Sequence, residues 1–188
     1  MSSPIKIDVS QLIIRTAQQQ DLNSLAEVLT DSFHPPEGLK RWIYPVLKLG
    51  IYEDLRTRLR SQSLQNQCFV ALLPTSPLTS ENELTGTIEV ALRSSWQLGS
   101  SQYAYISNLA VKEPYRRLGI ARQLLLQCEH TARQWGFNEL YLHVLENNYQ
   151  ARELYRNSGY QLESVEPSLR SWLFNSPKRL LLRKPLPS

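Results

Sequence analysis

A short segment of the chain has the residues of a phosphate-binding turn. Residues 116–121 read Arg-Arg-Leu-Gly-Ile-Ala and stand between a predicted strand and a predicted helix. The first turn of a helix has N–H groups without intrahelical partners and the positive end of the helix dipole, so it attracts phosphate. Gly119 allows close approach of the backbone, and Arg116, Arg117 and Arg122 add positive charge. Taken alone, the pattern is more typical of a surface helix with a basic first turn than of a phosphate site.

A second motif follows further along the chain. Residues 148–155 read Asn-Tyr-Gln-Ala-Arg-Glu-Leu-Tyr and precede Gly159 and Tyr160. In this order and spacing, the two motifs resemble the signatures of the GNAT superfamily of acyl-CoA-dependent N-acetyltransferases. That family has Gln/Arg-x-x-Gly-x-Gly/Ala after a long strand, and Asn-x-x-Ala-x-x-Leu-Tyr before Gly-Phe/Tyr. The resemblance covers about residues 102–162, and residue frequencies make the second motif rare by chance.

The resemblance implies a binding site for acetyl-CoA and no metal. In the family, the cosubstrate lies in a wedge between two parallel strands, which correspond here to residues 102–112 and 139–144. The end of the first strand would pair with the pantetheine arm, the turn would bind the pyrophosphate, and the second motif would contact the pantetheine and the sulfur. The residues that the resemblance assigns to cofactor binding are Leu109, Ala110, Val111, Arg116, Arg117, Leu118, Gly119, Ile120, Ala121, Asn148, Ala151 and Tyr155.

The implied reaction is direct attack of a neutral amine on the thioester, with one acid and one base. Tyr155 would protonate the departing thiolate and contribute a factor of roughly ten to the rate. His143 would be the base, because it stands where ribosomal-protein-type N-terminal acetyltransferases of the family have a glutamate, and a neutral imidazole accepts protons. A packed histidine with local hydrogen-bond partners is the alternative. Glu89 and Tyr105, on neighbouring predicted strands, are the other candidate bases.

The expected acceptor amine depends on a second, weaker resemblance. Residues 106–111, 142–144 and 147–148 are similar to the cyanobacterial and plastid branch of the family, whose members are similar to N-terminal protein acetyltransferases. This favours protein N-terminal α-amines, with lysine side chains as further acceptors. The alternatives are a small amine, such as a polyamine or an amino acid, and a non-catalytic acyl-CoA sensor. Trp96 and Tyr103 are candidates for an acceptor groove or for ordinary packing.

Hydrophobic periodicity and turn residues predict the elements that position these motifs. The pattern favours the α+β class, with a single mixed, mostly antiparallel sheet of six to seven strands and helices on both faces. The resemblance implies in addition that the parallel pair splays apart. One predicted helix follows Asp21, and the others cover residues 39–62, 117–135 and 148–157. The helix over residues 39–62 is expected to be interrupted at Pro45. The predicted strands cover residues 11–16, 67–73, 84–92, 102–112, 139–144, 160–165 and 178–184.

Length and composition limit the remaining classes of protein. The 188 residues, 41% of them hydrophobic and 20% charged, suit one domain with a flexible extension at residues 1–10. No apolar run reaches the roughly 18 residues of a membrane span, and two cysteines without a targeting signal predict a cytoplasmic location.

Part of the net charge of +4 lies at the phosphate turn, so no nucleic-acid partner is expected. A monomer and a homodimer both remain open. The other basic group, expected to be a solvated face, comprises Lys178, Arg179, Arg183 and Lys184.

Overall fold

Seven strands and four α-helices make up the described part of the chain. The computed structural model describes residues 9–33, 44–61, 65–75, 82–94, 102–166 and 177–187. The strands are β1 (Ile13–Thr16), β2 (Asn66–Pro74), β3 (Asn82–Ser94), β4 (Gln102–Val111), β5 (Glu139–Leu145), β6 (Gln161–Glu166) and β7 (Arg179–Pro185). The helices are α1 (Leu22–Phe33), α2 (Tyr44–Ser61), α3 (Ile120–Gln134) and α4 (Tyr149–Asn157). Every predicted strand and helix corresponds to one of these elements, and the ends that the structure describes differ by a few residues. Residues 39–43 and 62 of the second predicted helix lie outside the described residues.

The strands form one sheet in the order β1-β2-β3-β4-β5-β7-β6. β4 and β5 are parallel, with Ala104 opposite Leu140 and Ile106 opposite Leu142, as the intervening helix α3 allows. The pairs β1–β2, β5–β7 and β6–β7 are antiparallel. This arrangement confirms the predicted mixed, mostly antiparallel sheet, and it places β5 between β4 and β7.

The described residues divide into two compact units. The first contains those within Met1–Ser63, Cys68–Thr87 and Asn108–Leu124, and the second contains those within Leu64–Gln67, Ile88–Ser107 and Leu125–Ser188. The first unit therefore includes α1, α2 and the segment from the end of β4 to the start of α3. The second includes β5, β6, β7 and α4.

Helices α1 and α2 contribute to the core of the first unit. Buried side chains recur at helical spacing in α1, among them Leu22, Leu25 and Leu29, and Leu55 of α2 belongs to the same cluster. Burial of each leucine contributes roughly 1.5–3 kcal/mol. Before α1, the carboxylate of Asp21 accepts hydrogen bonds from Arg15 and from the Gln18 N–H, which stabilises the turn that starts the helix. None of the described helices combines the length and the apolar composition that crossing a membrane requires.

Side chains alternate between the two faces of the sheet along β5. Leu140, Leu142 and Val144 are buried and point to one face of the sheet, because successive residues of a strand point to opposite faces. Tyr141 and His143 point to the other face. The candidate base predicted from the sequence therefore lies on the face opposite the apolar one.

Three local differences from the predicted elements have physical reasons. Helix α3 begins at Ile120 rather than near Arg117, because Arg117 and Gly119 have positive φ angles that do not continue a right-handed helix. Pro45 does not interrupt the described helix α2, since it lies in the first turn, where an N–H group has no intrahelical partner. Val9–Gln11 form a 3₁₀ turn, so the first strand starts later than residue 11.

Candidate active site

The segment between β4 and α3 forms a turn with open space at Gly119. After the 3₁₀ turn Glu113–Tyr115, the chain passes through Arg117 (φ 66°) and Gly119 (φ 84°) before α3 begins. A left-handed residue other than glycine costs roughly 1–2 kcal/mol, so the surrounding structure must maintain Arg117 in this conformation. A β-carbon at Gly119 would meet no atom of the described residues within 4 Å. A ligand therefore has room directly against the backbone of the turn.

The start of α3 supplies donors and charge at the same place. The Gln123 N–H donates to the Gly119 carbonyl at 3.1 Å and closes the first turn of the helix. The N–H groups before it have no intrahelical acceptor, and the side chains of Arg116, Arg117 and Arg122 add positive charge around them. The turn therefore has the backbone donors and the helix dipole that an anion site requires, and phosphate binding there stays a prediction.

A carboxylate that the sequence did not reveal holds the segment before the turn. Glu83 of β3 accepts hydrogen bonds from Lys112 at 2.8 Å and from Tyr115 at 2.7 Å. Burial opposes ionisation of Glu83, but these donors lower its pKa below the usual value. The same contact raises the pKa of Tyr115 to about 12. Arg116 Nε donates to the Val111 carbonyl at 3.0 Å, which links the two ends of the segment that leads into the turn.

The last residues of β4 are the predicted partners of the pantetheine arm. The described parallel ladder with β5 ends at Ile106, although β4 continues to Val111. Asn108 has a φ of 55°, which interrupts the regular strand just before Leu109. Leu109 and Val111 are half-buried and Ala110 is buried. The end of β4 therefore has an irregular backbone that the parallel ladder does not use.

A row of polar side chains crosses the sheet within the second unit. The hydroxyl of Tyr105 on β4 is 2.9 Å from Nδ1 of His143 on β5. On one side of this pair, the Arg93 guanidinium lies 3.9 Å from the centre of the Tyr105 ring. On the other side, a Glu166 oxygen is 2.9 Å from His143 Nε2, and Arg179 is 3.8 Å from the same carboxylate. We call these five residues the polar row.

His143 and Tyr105 are both uncharged near neutral pH. Burial is the largest effect on His143 and lowers its pKa below 6.5; Glu166 raises it, and Arg179 and Arg93 lower it. Burial also raises the pKa of Tyr105 above 10. The Glu166 oxygen lies close to Nε2 but not along a hydrogen-bond direction, so within the described residues Nε2 has a charge contact rather than a formed hydrogen bond. The imidazole is therefore able to accept a proton.

Helix α4 contains the second motif. The Asn148 side chain is the N-cap, and its Oδ1 accepts from the Ala151 N–H at 3.2 Å, which explains the spacing of these two residues. The amide NH₂ of Asn148 is not used by this cap. Tyr155 is only 7% exposed and packs edge-on against Tyr160, with ring centres 5.8 Å apart. Burial raises the pKa of Tyr155 to about 12, so the phenol keeps its proton throughout the neutral range.

The structure describes two of the other predicted candidates, Tyr103 and Glu89. Tyr103 packs edge-on against Tyr105 and Tyr141, with ring centres 6.3 and 5.4 Å away, and extends the aromatic surface next to the row. Glu89 is buried in β3, with 3% exposure. Trp96 lies outside the described residues.

Carboxylates neutralise much of the basic group near the C-terminus. Arg183 lies 2.6 Å from Glu139 and 2.9 Å from Glu163, and Lys184 lies 2.6 Å from Glu129. Carboxylates therefore balance the positive charge of Arg183 and Lys184, which would otherwise attract the phosphate backbone of a nucleic acid.

The structure joins residues that the sequence offered as alternatives. Tyr105 and His143, two candidate bases, share a hydrogen bond. Sequence reasoning missed Glu166 and Glu83, which contact His143 and the segment before the phosphate turn. No motif marks either glutamate, because each reaches its partner through the pairing of strands distant in sequence.

A family profile matches the part of the chain that contains both motifs, and several known sequences are similar to this chain. The profile described as "Acetyltransferase (GNAT) family" matches residues 24–160. GCN5-related N-acetyltransferase 10, chloroplastic, of Arabidopsis thaliana is 26% identical over 174 residues, which cover 88% of this chain and 68% of the relative. GCN5-related N-acetyltransferase 7, chloroplastic, of the same plant is 36% identical over 85 residues, or 45% of this chain and 31% of the relative. The latter match therefore spans less than a third of that relative's length.

Comparison with solved structures agrees with the fold. The crystal structure of the PaiA N-acetyltransferase from Thermoplasma acidophilum, in complex with coenzyme A, superposes with a TM-score of 0.69. The superposition covers 93% of this chain and 98% of that chain, at 22% identity, and shows a common fold. The family profile matches well over half of the chain and includes both the phosphate turn and the second motif. The chain belongs to the acetyltransferase (GNAT) family.

Proposed function

We propose that this chain transfers the acetyl group of acetyl-CoA to the N-terminal α-amine of a protein, and more slowly to lysine side chains. The observation that carries the proposal is the hydrogen bond between Tyr105 and His143, which joins a hydroxyl that can relay a proton from an amine to a neutral imidazole that can accept it. Membership of the GNAT family supports the reaction class. The chloroplastic relatives, which are named N-acetyltransferases, support it as well.

The phosphate turn fits the pyrophosphate of CoA. The open space at Gly119, the N–H groups at the start of α3 and the cationic side chains of Arg117 and Arg122 suit a doubly charged anion. Backbone groups of Leu109 and Val111 are the proposed partners of the pantetheine arm. Bound acetyl-CoA supplies an activated acyl group, and the residues of the chain supply position and proton transfer.

The low pKa of His143 favours an α-amine as the acceptor. An α-ammonium group with a pKa near 8 loses its proton at pH 7 at a cost of about 1 kcal/mol, whereas a lysine with a pKa near 10.4 costs about 4–5 kcal/mol. A histidine with a pKa below 6.5 is a weak base. It therefore removes a proton more readily from an α-ammonium group, whose pKa is closer to its own, than from a lysine. We therefore place protein N-termini first and lysine side chains second.

A peptide library tests this proposal directly. The chain is incubated with acetyl-CoA and peptides that have a free or a blocked N-terminus, each with one internal lysine, and thiol release is followed while mass spectrometry locates the acetyl group. We expect acetylation mainly at free N-termini. Turnover of a polyamine or an amino acid without any peptide acetylation would reject the protein acceptor. Binding of CoA without turnover of any amine would instead indicate a non-catalytic acyl-CoA-binding protein.

Replacement of Tyr155 by phenylalanine is expected to lower kcat by only about tenfold. A thiolate is a good leaving group, and a phenol whose pKa is about 12 assists it mainly by donating a hydrogen bond rather than by releasing its proton. The KM for acetyl-CoA should change little. Steady-state thiol release measures both quantities.

Tyr160→Phe is the matched control for Tyr155→Phe. The Tyr160 hydroxyl is buried and has no hydrogen-bond partner among the described residues, so its removal should leave kcat unchanged. A thousandfold loss in Tyr155→Phe, or equal losses in the two variants, would contradict the role assigned to Tyr155.

A further inference from the structure

We propose that Glu166 is a positioning residue for the acetyl transfer: it orients and charges His143, so that Tyr105 takes the proton from the acceptor amine. The inference rests on the proposed function and assigns a residue that neither motif contains. It follows from the order of groups in the polar row, in which Tyr105, His143 and Glu166 lie on three different strands.

The position of Glu166 selects one tautomer of His143. Nε2 lies 2.9 Å from a carboxylate oxygen of Glu166, and an unprotonated Nε2 would bring its partial negative charge next to that of the carboxylate, which is electrostatically unfavourable even without a formed hydrogen bond. The proton of the neutral imidazole therefore lies on Nε2, and the lone pair lies on Nδ1. Nδ1 then accepts the hydrogen bond from the Tyr105 hydroxyl at 2.9 Å.

The resulting proton transfer is balanced without another reactant. As the ammonium group of the acceptor gives a proton to the Tyr105 oxygen, the hydroxyl proton of Tyr105 passes to Nδ1 of His143. The products of this step are a neutral amine, an unchanged phenol and an imidazolium ion with protons on both nitrogens. The Glu166 carboxylate stabilises that cation, and Arg93 over the Tyr105 ring favours any transient negative charge on the phenol.

A β-bulge places Glu166 on the correct face of the sheet. The β6–β7 register pairs Leu162 with Leu182 but Ser164 with Leu181, so Glu163 is an extra residue in β6. Without this shift, strict alternation from Leu162 would point Glu166 to the same face as Leu162. With it, Glu166 reaches the face that carries His143.

Nuclear magnetic resonance of the full chain tests the orientation of His143 without an activity assay. Loss of one histidine signal in His143→Gln identifies the His143 resonance among the three histidines. We expect the Nε2–H tautomer and a pKa below 6.5 in the unmodified protein. Glu166→Ala should lower the pKa further and mix the tautomers. Glu166→Gln should lower the pKa but retain the tautomer, because the partial negative charge of the amide oxygen still favours a proton on the neighbouring Nε2.

Steady-state kinetics of the same variants tests the catalytic part. The Glu166 side chain is 44% exposed, so solvent screens its charge, and we expect kcat to fall about tenfold in Glu166→Ala and about threefold in Glu166→Gln. The rising limb of kcat with pH should move to lower pH, since Arg93 and Arg179 continue to disfavour the imidazolium while Tyr105 remains neutral. Glu163→Ala keeps the extra residue that forms the bulge and removes only a carboxylate paired with Arg183, so it should leave kcat within about twofold.

Two results would overturn the inference. One is an unchanged His143 tautomer and pKa in Glu166→Ala, and the other is a kcat in that variant equal to that of the unmodified chain or of Glu163→Ala. Absence of any amine acetylation by the unmodified chain would instead reject the proposed function. The resonance measurements report on Glu166 and His143 alone, so the two failures are distinguishable.

Discussion

A Gly119→Glu variant is expected to bind CoA at least about 100-fold more weakly than the unmodified chain, a loss of about 2.8 kcal/mol. Any L-residue at φ 84° is strained by roughly 1–2 kcal/mol. The new side chain also enters the open space next to the turn, and its carboxylate repels the phosphates at the start of α3. Calorimetric titration of the protein with CoA measures the change in Kd.

Gly136→Glu provides a closely matched control. Gly136 has the same φ of 84°, follows the same helix and also has no described atom within 4 Å of an added β-carbon. This substitution would therefore add equal charge and comparable backbone strain at the opposite end of α3, and CoA affinity should be retained. Gly119→Ala separates strain from charge and should lose less affinity than Gly119→Glu. Unchanged affinity in Gly119→Glu, or equal losses at the two glycines, would refute the phosphate turn.

A His143→Ala variant is expected to lose about 100-fold in kcat, together with the rise of kcat at acid pH. Protonated His143 cannot accept a proton, so activity should increase as the pH rises through its pKa. Burial lowers that pKa below 6.5, which places the rising limb on the acid side of 6.5. The profile of kcat against pH, at saturating acetyl-CoA and acceptor peptide, shows whether the limb is present.

Two further variants isolate the role of His143. His130 is exposed on α3, and His130→Ala should keep both kcat and the pH profile. If Tyr105 acts through His143, the double variant Tyr105→Phe, His143→Ala should lose little more than the larger single loss, because the two residues work as one unit. A preserved acid limb in His143→Ala, or additive losses in the double variant, would show that another group is the base.

The order of strands and helices was predictable because it depends on local patterns. The apolar alternation of β5 and the helical spacing of buried residues in α1 are visible in the sequence, and both correspond to buried side chains in the structure. The start of α3 was less predictable. The left-handed conformation of Arg117 has no residue-type signal, since such a conformation is normally left to glycine.

The polar row shows where prediction from the sequence ends. Tyr105 and His143 were candidates, because their residue types can transfer protons, but nothing in the sequence joins them. Strand pairing does so, since the β4–β5 register places Tyr105 opposite Tyr141, two residues before His143 on the same face of β5. Glu166 depends on the bulge at Glu163, and a one-residue change of register reverses the face of every later side chain.

By itself, the sequence determined the family, the turn before α3 and the helix that carries Tyr155, because each of these depends on contiguous residues whose spacing follows a helix or a tight turn. Only the tertiary structure decided which groups share protons and which charges are neutralised. The hydrogen bond of His143, the anchoring of Lys112 by Glu83 and the pairing of Lys184 with Glu129 all join distant parts of the chain. Such contacts depend on strand register and packing, which are settled when the whole sheet forms and not by any local segment.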